Sequence, residues 1–297
     1  MLTIFAKLIS ESLLSLYPVI LKKIKISIIN QIWTRLISYL IISSLLINRK
    51  FIQQIIFHKI TLVFSIINFL HILMSYIGFK LLDSGVALSI FFTFPIMILI
   101  IETRRFNIHY LIIIFGLFLL SFDNKKKSED KDKNKNKNKN ENKEENNSNK
   151  TWIGIPAMLL AALTEALIFF CVKKIPTTNS WNHMFIGYLF PTILFTLYFA
   201  YYYYKNVWQN KEHETKHNIN KITLYLILIN CVIGTIGYFL RFYTAYRLNA
   251  YVYSILSYFG IITGYIYGHY IDQQSITWNK ILGTLIIIIS SIFVLKK

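Results

Sequence analysis

Long apolar stretches separated by short polar junctions dominate the chain. Ten of them run approximately over 4–21, 31–48, 57–79, 82–101, 108–122, 153–172, 183–204, 222–241, 247–270 and 277–295. An α-helix needs about 20 residues to cross about 30 Å of hydrocarbon. The pattern therefore predicts an all-α polytopic membrane protein of about ten transmembrane helices, with the lipid bilayer as its solvent. The fifth stretch is short and would need a locally thin bilayer or extension into its neighbours. The first carries Lys7 and Glu11. Closed β-barrels, the other spanning architecture, need segments of alternating polarity. Runs such as Ile286-Ile287-Ile288-Ile289 do not alternate. Aromatics stand at the expected water boundaries, as at Tyr201–Tyr204 ahead of Lys205.

The apolar pattern breaks over Asp123–Lys150, which contains only Lys, Asn, Asp, Glu and Ser. Such a stretch has no apolar surface to bury, and its composition predicts a disordered linker. It divides the chain into two halves, 1–122 and 151–297, each with five of the ten stretches.

The halves resemble each other. The first span reads Ser10-Glu11-Ser12-Leu13-Leu14 and then Lys22-Lys23-Ile24; the sixth reads Thr164-Glu165-Ala166-Leu167-Ile168 and then Lys173-Lys174-Ile175. The third ends in Tyr76-Ile77-Gly78-Phe79-Lys80-Leu81, and the eighth leads into the ninth through Tyr243-Thr244-Ala245-Tyr246-Arg247-Leu248. On that register His71 falls opposite Tyr238. Two matches in the same order, at the same place in each half, predict an internal repeat. With an odd number of spans per copy, the second copy enters the membrane from the opposite side, giving two inverted five-helix repeats, a common plan for secondary transporters.

Charge changes the picture little. The 297 residues carry a formal net charge of +18, but only 15% are charged against 55% hydrophobic. A nucleic-acid domain would gather its cations on one folded face. Here they sit in pairs between apolar runs, at Lys22-Lys23, Arg49-Lys50, Arg104-Arg105, Lys173-Lys174 and Lys296-Lys297, as charges flank membrane helices. No nucleic-acid partner is expected. Cys171 and Cys231 fall inside apolar runs and suggest no disulfide framework. The first apolar run is interrupted by charge and lacks a small-residue cleavage site, so it is expected to remain as a helix rather than act as a signal peptide.

Gly78-Phe79-Lys80-Leu81 precedes Ser84-Gly85-Val86-Ala87-Leu88 and then Phe94-Pro95-Ile96. In the second half, Arg247-Leu248-Asn249-Ala250 precedes Ser254-Ile255-Leu256-Ser257, with Asp272, Trp278 and Gly283 following. This order of motifs resembles the drug/metabolite transporter superfamily, specifically its EamA-like ten-span branch, over nearly the whole chain outside the polar stretch. Gly260 departs from the pattern by standing where the second copy usually has Pro. The resemblance implies a carrier whose spans one to four and six to nine line a cavity, with the fifth and tenth bracing the outside. In small multidrug-resistance relatives a glutamate on the first helix binds a proton or a cationic substrate, which draws attention to Glu11.

Glu11 and Glu165 are the leading candidates for substrate or proton binding, because a carboxylate within a membrane helix normally faces protein or a water-filled cavity. The structural alternatives are an interfacial Glu11 paired with Lys7 one turn earlier, and a Glu165 held by a structural cation. His71 lies mid-span, with Asn68 one turn before it on the same face, and Tyr238 could supply a hydroxyl to the same cavity. Arg35, Lys80, Arg241 and Arg247 lie near the ends of the apolar windows, where most read as snorkelling anchors; one or two of the four would bind an anionic substrate as fixed cations. Gly260, Gly264 and Gly268 share one helical face and permit close packing, within the fold or in a homodimer.

No HExxH, GxSxG, Walker or Cys/His metal pattern is present, so neither an enzyme nor a cofactor is indicated. The sequence therefore predicts a secondary transporter of a small metabolite or drug-like solute. The alternative is a membrane scaffold or partner-binding protein that retains the fold without transport.

Overall fold

In this computed structural model the described residues are 1–82, 84–105, 108–116, 119, 141–209, 220–273 and 277–295. They form helices and connecting turns, with no strand among them. In chain order the helices are α1 (Leu2–Lys23), α2 (Ile28–Leu46), α3 (Arg49–Ile55), α4 (Lys59–Leu81), α5 (Ser84–Phe91) and α6 (Phe94–Thr103). Next come α7 (108–116), α8 (Glu141–Lys174), α9 (Ser180–Gln209), α10 (Lys221–Arg247), α11 (Ala250–Ser257), α12 (Phe259–Asp272) and α13 (Trp278–Leu295). Six of them contain segments long and apolar enough to cross a membrane: α1, α2, α4, α8 from Trp152, α9 to Lys205, and α10.

The fourth and ninth apolar stretches are each broken into two helices. Both begin with an eight-residue helix, α5 and α11. In the first half the break coincides with Pro95 near the start of α6, whose missing N–H removes a helical hydrogen bond. Thr93 caps the break by donating to the Ile90 carbonyl at 2.8 Å. The second half breaks without proline: Tyr258 N–H donates three residues back to Ile255 O at 3.1 Å, a tightened turn that redirects the chain into α12. The departure at Gly260 therefore leaves the break in place.

Of the Lys/Asn/Glu stretch, residues 123–140 lie outside the described residues, and 141–150 are helical and continue into α8.

Apolar side chains cover the outside of the bundle, and its apolar core has polar groups set into it. Leu197, Ile222, Leu228 and Ile289 are exposed, while Ser10, Ser15, Ser65 and Asn68 are buried. These buried groups join helices through glycines or their neighbours. Ser10 donates to Gly237 O at 2.8 Å, Ser15 to Gly260 O at 2.7 Å, Ser65 to Ile186 O at 2.7 Å and Asn68 to Gly187 O at 2.8 Å. A glycine with no side chain lets the neighbouring helix come close enough for a short hydroxyl to reach the backbone.

The packing follows an exchange of halves. Helix α1 lies along α10 as α4 lies along α8, and α1 meets α12 as α8 meets α5 and α6. Helix α2 packs on α9, and α6 on α11. Each of these pairings is reproduced, or maps onto itself, when the first half is swapped for the second.

The glycine stripe is occupied within the chain. Gly260 and Gly264 face Phe92, Leu88 and Ser15, and Gly268 is buried. A Cβ at Gly260 would run into the Phe92 ring and lie 2.9 Å from Ser15 Oγ. Gly260→Val should therefore cost about 1–3 kcal/mol through overpacking and lower the melting temperature of the detergent-purified protein. An unchanged melting curve would contradict this packing.

Candidate functional site

Two helices that the apolar windows cut short extend past their charged residues. Helix α10 continues to Arg247 and α2 starts at Ile28, so Arg241 and Arg35 lie within helices rather than at their ends. Both are buried, at 2% and 3% exposure. Their reading as snorkelling anchors is thereby corrected.

Arg241 is the centre of a buried ion network. Its Nη2 donates to Glu11 Oε2 at 3.0 Å and its Nη1 to Glu165 Oε1 at 2.9 Å. The second oxygen of Glu11 receives Lys7 Nζ at 2.5 Å. Lys7 also stands 3.3 Å from the centre of the Tyr253 ring. The aromatic rings of Phe91, Phe94 and Tyr238 surround the Arg241 guanidinium. Elements from both halves thus supply the network: α1 gives Lys7 and Glu11, α8 gives Glu165, and α10 gives Arg241.

His71, on α4, completes it. Its Nδ1 lies 3.1 Å from Ala161 O, an atom that only accepts, so in the neutral ring the proton belongs on Nδ1. Nε2 then accepts from the Tyr238 hydroxyl at 3.1 Å. The same Nε2 stands 3.4 Å from Glu165 Oε2, which has no hydrogen-bond partner. A proton added to Nε2 would face that carboxylate oxygen, and the pair can therefore hold one exchangeable proton between them.

A small gap of about 20 Å³, room for about one water, adjoins the network and is lined by Glu11, His71, Tyr238, Arg241, Arg35 and Tyr17. Arg35 donates to the Tyr188 hydroxyl at 3.1 Å and lies among the rings of Tyr17, Tyr39, Tyr76 and Tyr238.

Of the candidates named from sequence, Glu11, His71, Tyr238 and Arg35 line this gap, and Glu165 joins them through Arg241 and His71. Glu11 pairs with Lys7 one turn earlier, and both are fully buried in the bundle. Asn68 instead spans α4 to α9. Lys80 is exposed, and Arg247 is exposed at the end of α10, bonded to Tyr243 O and Thr178 O. Both are away from the network. Gly260 and Gly264 pack against neighbouring helices, and Gly268 is buried.

Sequence reasoning missed Lys7 as a site member, Arg241 as the hub, and the tyrosines about Arg35. A signal existed for two of them, since Lys7 is one turn from Glu11 and Arg241 one turn from Tyr238, on shared faces.

Residues 152–296 match the EamA-like transporter family. The matched range opens where the apolar part of α8 begins and includes Glu165, Tyr238 and Arg241. With six helices long and apolar enough to cross a membrane, the match supports an integral multi-pass membrane protein. No curated protein matches the chain.

Proposed function

We propose that the protein is a secondary carrier that moves a small solute by alternating access, with the space beside Arg241 as its central site. The observation that carries this reading is the ion network, because its bonds cross between the halves at the gap. Glu11 and His71 come from the first half, Arg241 and Glu165 from the second. If the halves rock against each other, these cross-half bonds must break or exchange partners, which makes them a latch for the conformation described here. The repeated sequence motifs and the interchangeable packing support two repeats related by a two-fold axis. With five spans in each copy, as the sequence predicts, that axis would lie in the membrane plane. The exchangeable proton between Glu165 and His71 is the candidate coupling site.

The scaffold alternative would be favoured by a solid apolar bundle, and a buried charged network beside a small gap argues against it. Purified protein screened against a metabolite library should show a raised melting temperature with its substrate. A ligand at a hundredfold its Kd stabilises by about 2.7 kcal/mol. The same solute should accumulate in vesicles reconstituted with the protein and not in empty ones. Binding without uptake under both proton-gradient polarities would replace the carrier with a solute-binding protein.

A further inference from the structure

The network around Arg241 is balanced, with Lys7 and Arg241 set against Glu11 and Glu165. Arg35 is not part of that balance. Among the described residues no carboxylate pairs with it, and its Nε has no hydrogen-bond partner. Its side-chain hydrogen bonds go to neutral hydroxyls, those of Tyr188 and Tyr76. The rings of Tyr17, Tyr39, Tyr76 and Tyr238 lie 4.7 to 5.6 Å from the guanidinium carbon. Ring faces attract a cation, but they do not neutralise it, and a buried charge without a counter-charge is costly. Arginine cannot relieve that cost by losing its proton.

Arg35 also borders two small gaps. The larger, about 20 Å³, joins it to Glu11, His71 and Arg241. A second, of about 10 Å³, is lined by Arg35 with Gln31, Tyr39 and Asn230. Gln31 Oε1, Asn230 Oδ1 and the Tyr39 hydroxyl are buried there without hydrogen-bond partners. Arg241 Nε likewise has no partner, but both Nη atoms of Arg241 and the Nζ of Lys7 already hold carboxylates.

We propose that Arg35 binds the anionic group of the substrate, so that the carrier takes a small organic solute bearing one carboxylate or phosphate, its carbon skeleton packed among the tyrosines. The planar guanidinium suits either oxyanion, and Nε is the donor left free for it. The inference rests on the carrier reading for its role in transport, though not for binding itself.

Four probes on one skeleton separate the possibilities for the full-length protein in detergent: benzoate, phenyl phosphate, benzamide and benzylamine. One or both anions should raise the melting temperature, while the neutral and cationic probes should not. Whichever anion acts identifies the preferred headgroup. Arg35→Gln should weaken anion binding by about thirtyfold or more, and Arg35→Lys should keep the preference for anions with lower affinity. Anions no better than benzamide on the wild type, or anion binding undiminished in Arg35→Gln, would overturn the proposal. If Arg35→Gln does not yield folded protein, loss of the anion preference in Arg35→Lys would do the same. Anion binding without vesicle uptake would leave the site standing and remove the carrier reading. Uptake of benzylamine or benzamide but not of the anions would remove the site and leave the carrier.

Discussion

Arg241→Met should leave little folded protein, because it strands Glu11 and Glu165 in the bundle with only Lys7 as a cation beside them. Removing one partner of a buried ion network costs about 3–5 kcal/mol, since the remaining charge loses its compensation. That is comparable to the whole stability of many domains, which is about 5–15 kcal/mol. Methionine fills similar space, so the loss is one of charge rather than volume. The effect should shrink when Glu165→Gln is added, because one stranded carboxylate is then neutral, and it should reappear if Lys7→Met is introduced as well. Detergent-extracted yield and melting temperature of the four proteins provide the check. A single Arg241→Met protein as stable as the wild type would show that the network contributes nothing to the fold.

Glu165→Gln should spare the fold and remove transport. The amide keeps the shape, and its carbonyl can still accept from Arg241 Nη1, now 2.9 Å from Glu165 Oε1. What disappears is the charge, together with the oxygen 3.4 Å from His71 Nε2 that could share a proton with it. Weakening a charge-assisted hydrogen bond is worth about 1.5–3 kcal/mol, and each 1.4 kcal/mol is a factor of about ten. Proton-driven uptake in vesicles should fall by about tenfold or more, and the melting temperature should fall by less than in Arg241→Met, because the amide keeps a hydrogen bond to Arg241. The dependence of residual uptake on outside pH should flatten over the range where the wild type responds. Unchanged uptake and an unchanged pH profile would make Glu165 a purely structural partner of Arg241.

The two predictions separate stability from function within one cluster. Arg241 is the cation that two carboxylates from different halves require, so losing it is a folding defect. Glu165 has a second contact, to His71, through which it can change protonation state without leaving Arg241.

The pairing of His71 with Tyr238, and of Glu11 with Glu165, was visible as matching positions in a repeated sequence. Why those positions meet was not. Each pair converges because α1 packs along α10 and α4 along α8, a result of how ten apolar segments assemble. Apolar segments specify that they span, but lipid and neighbouring helix are nearly equivalent apolar surroundings, so hydropathy does not say which neighbour each helix takes. Arg35 and Arg241 illustrate the consequence. An apolar window ends where the charges begin, whereas a helix continues as long as its backbone is hydrogen-bonded. The window therefore places these arginines at the membrane edge when they belong to the interior.

The sequence by itself determined the helical class, the places of the spans, the division by the polar stretch and the two glutamates as the costly groups needing an explanation. Those features follow from local composition and from the expense of charge in hydrocarbon, both of which act along the chain. The tertiary structure alone decided that Arg241 joins the two glutamates, that Lys7 stands beside Glu11 inside the bundle, and that Arg35 stands uncompensated among five tyrosines. An ion pair is defined by a distance of a few ångströms between side chains on different helices. Residues 76 and 230 positions apart reach that distance only once the helices have packed.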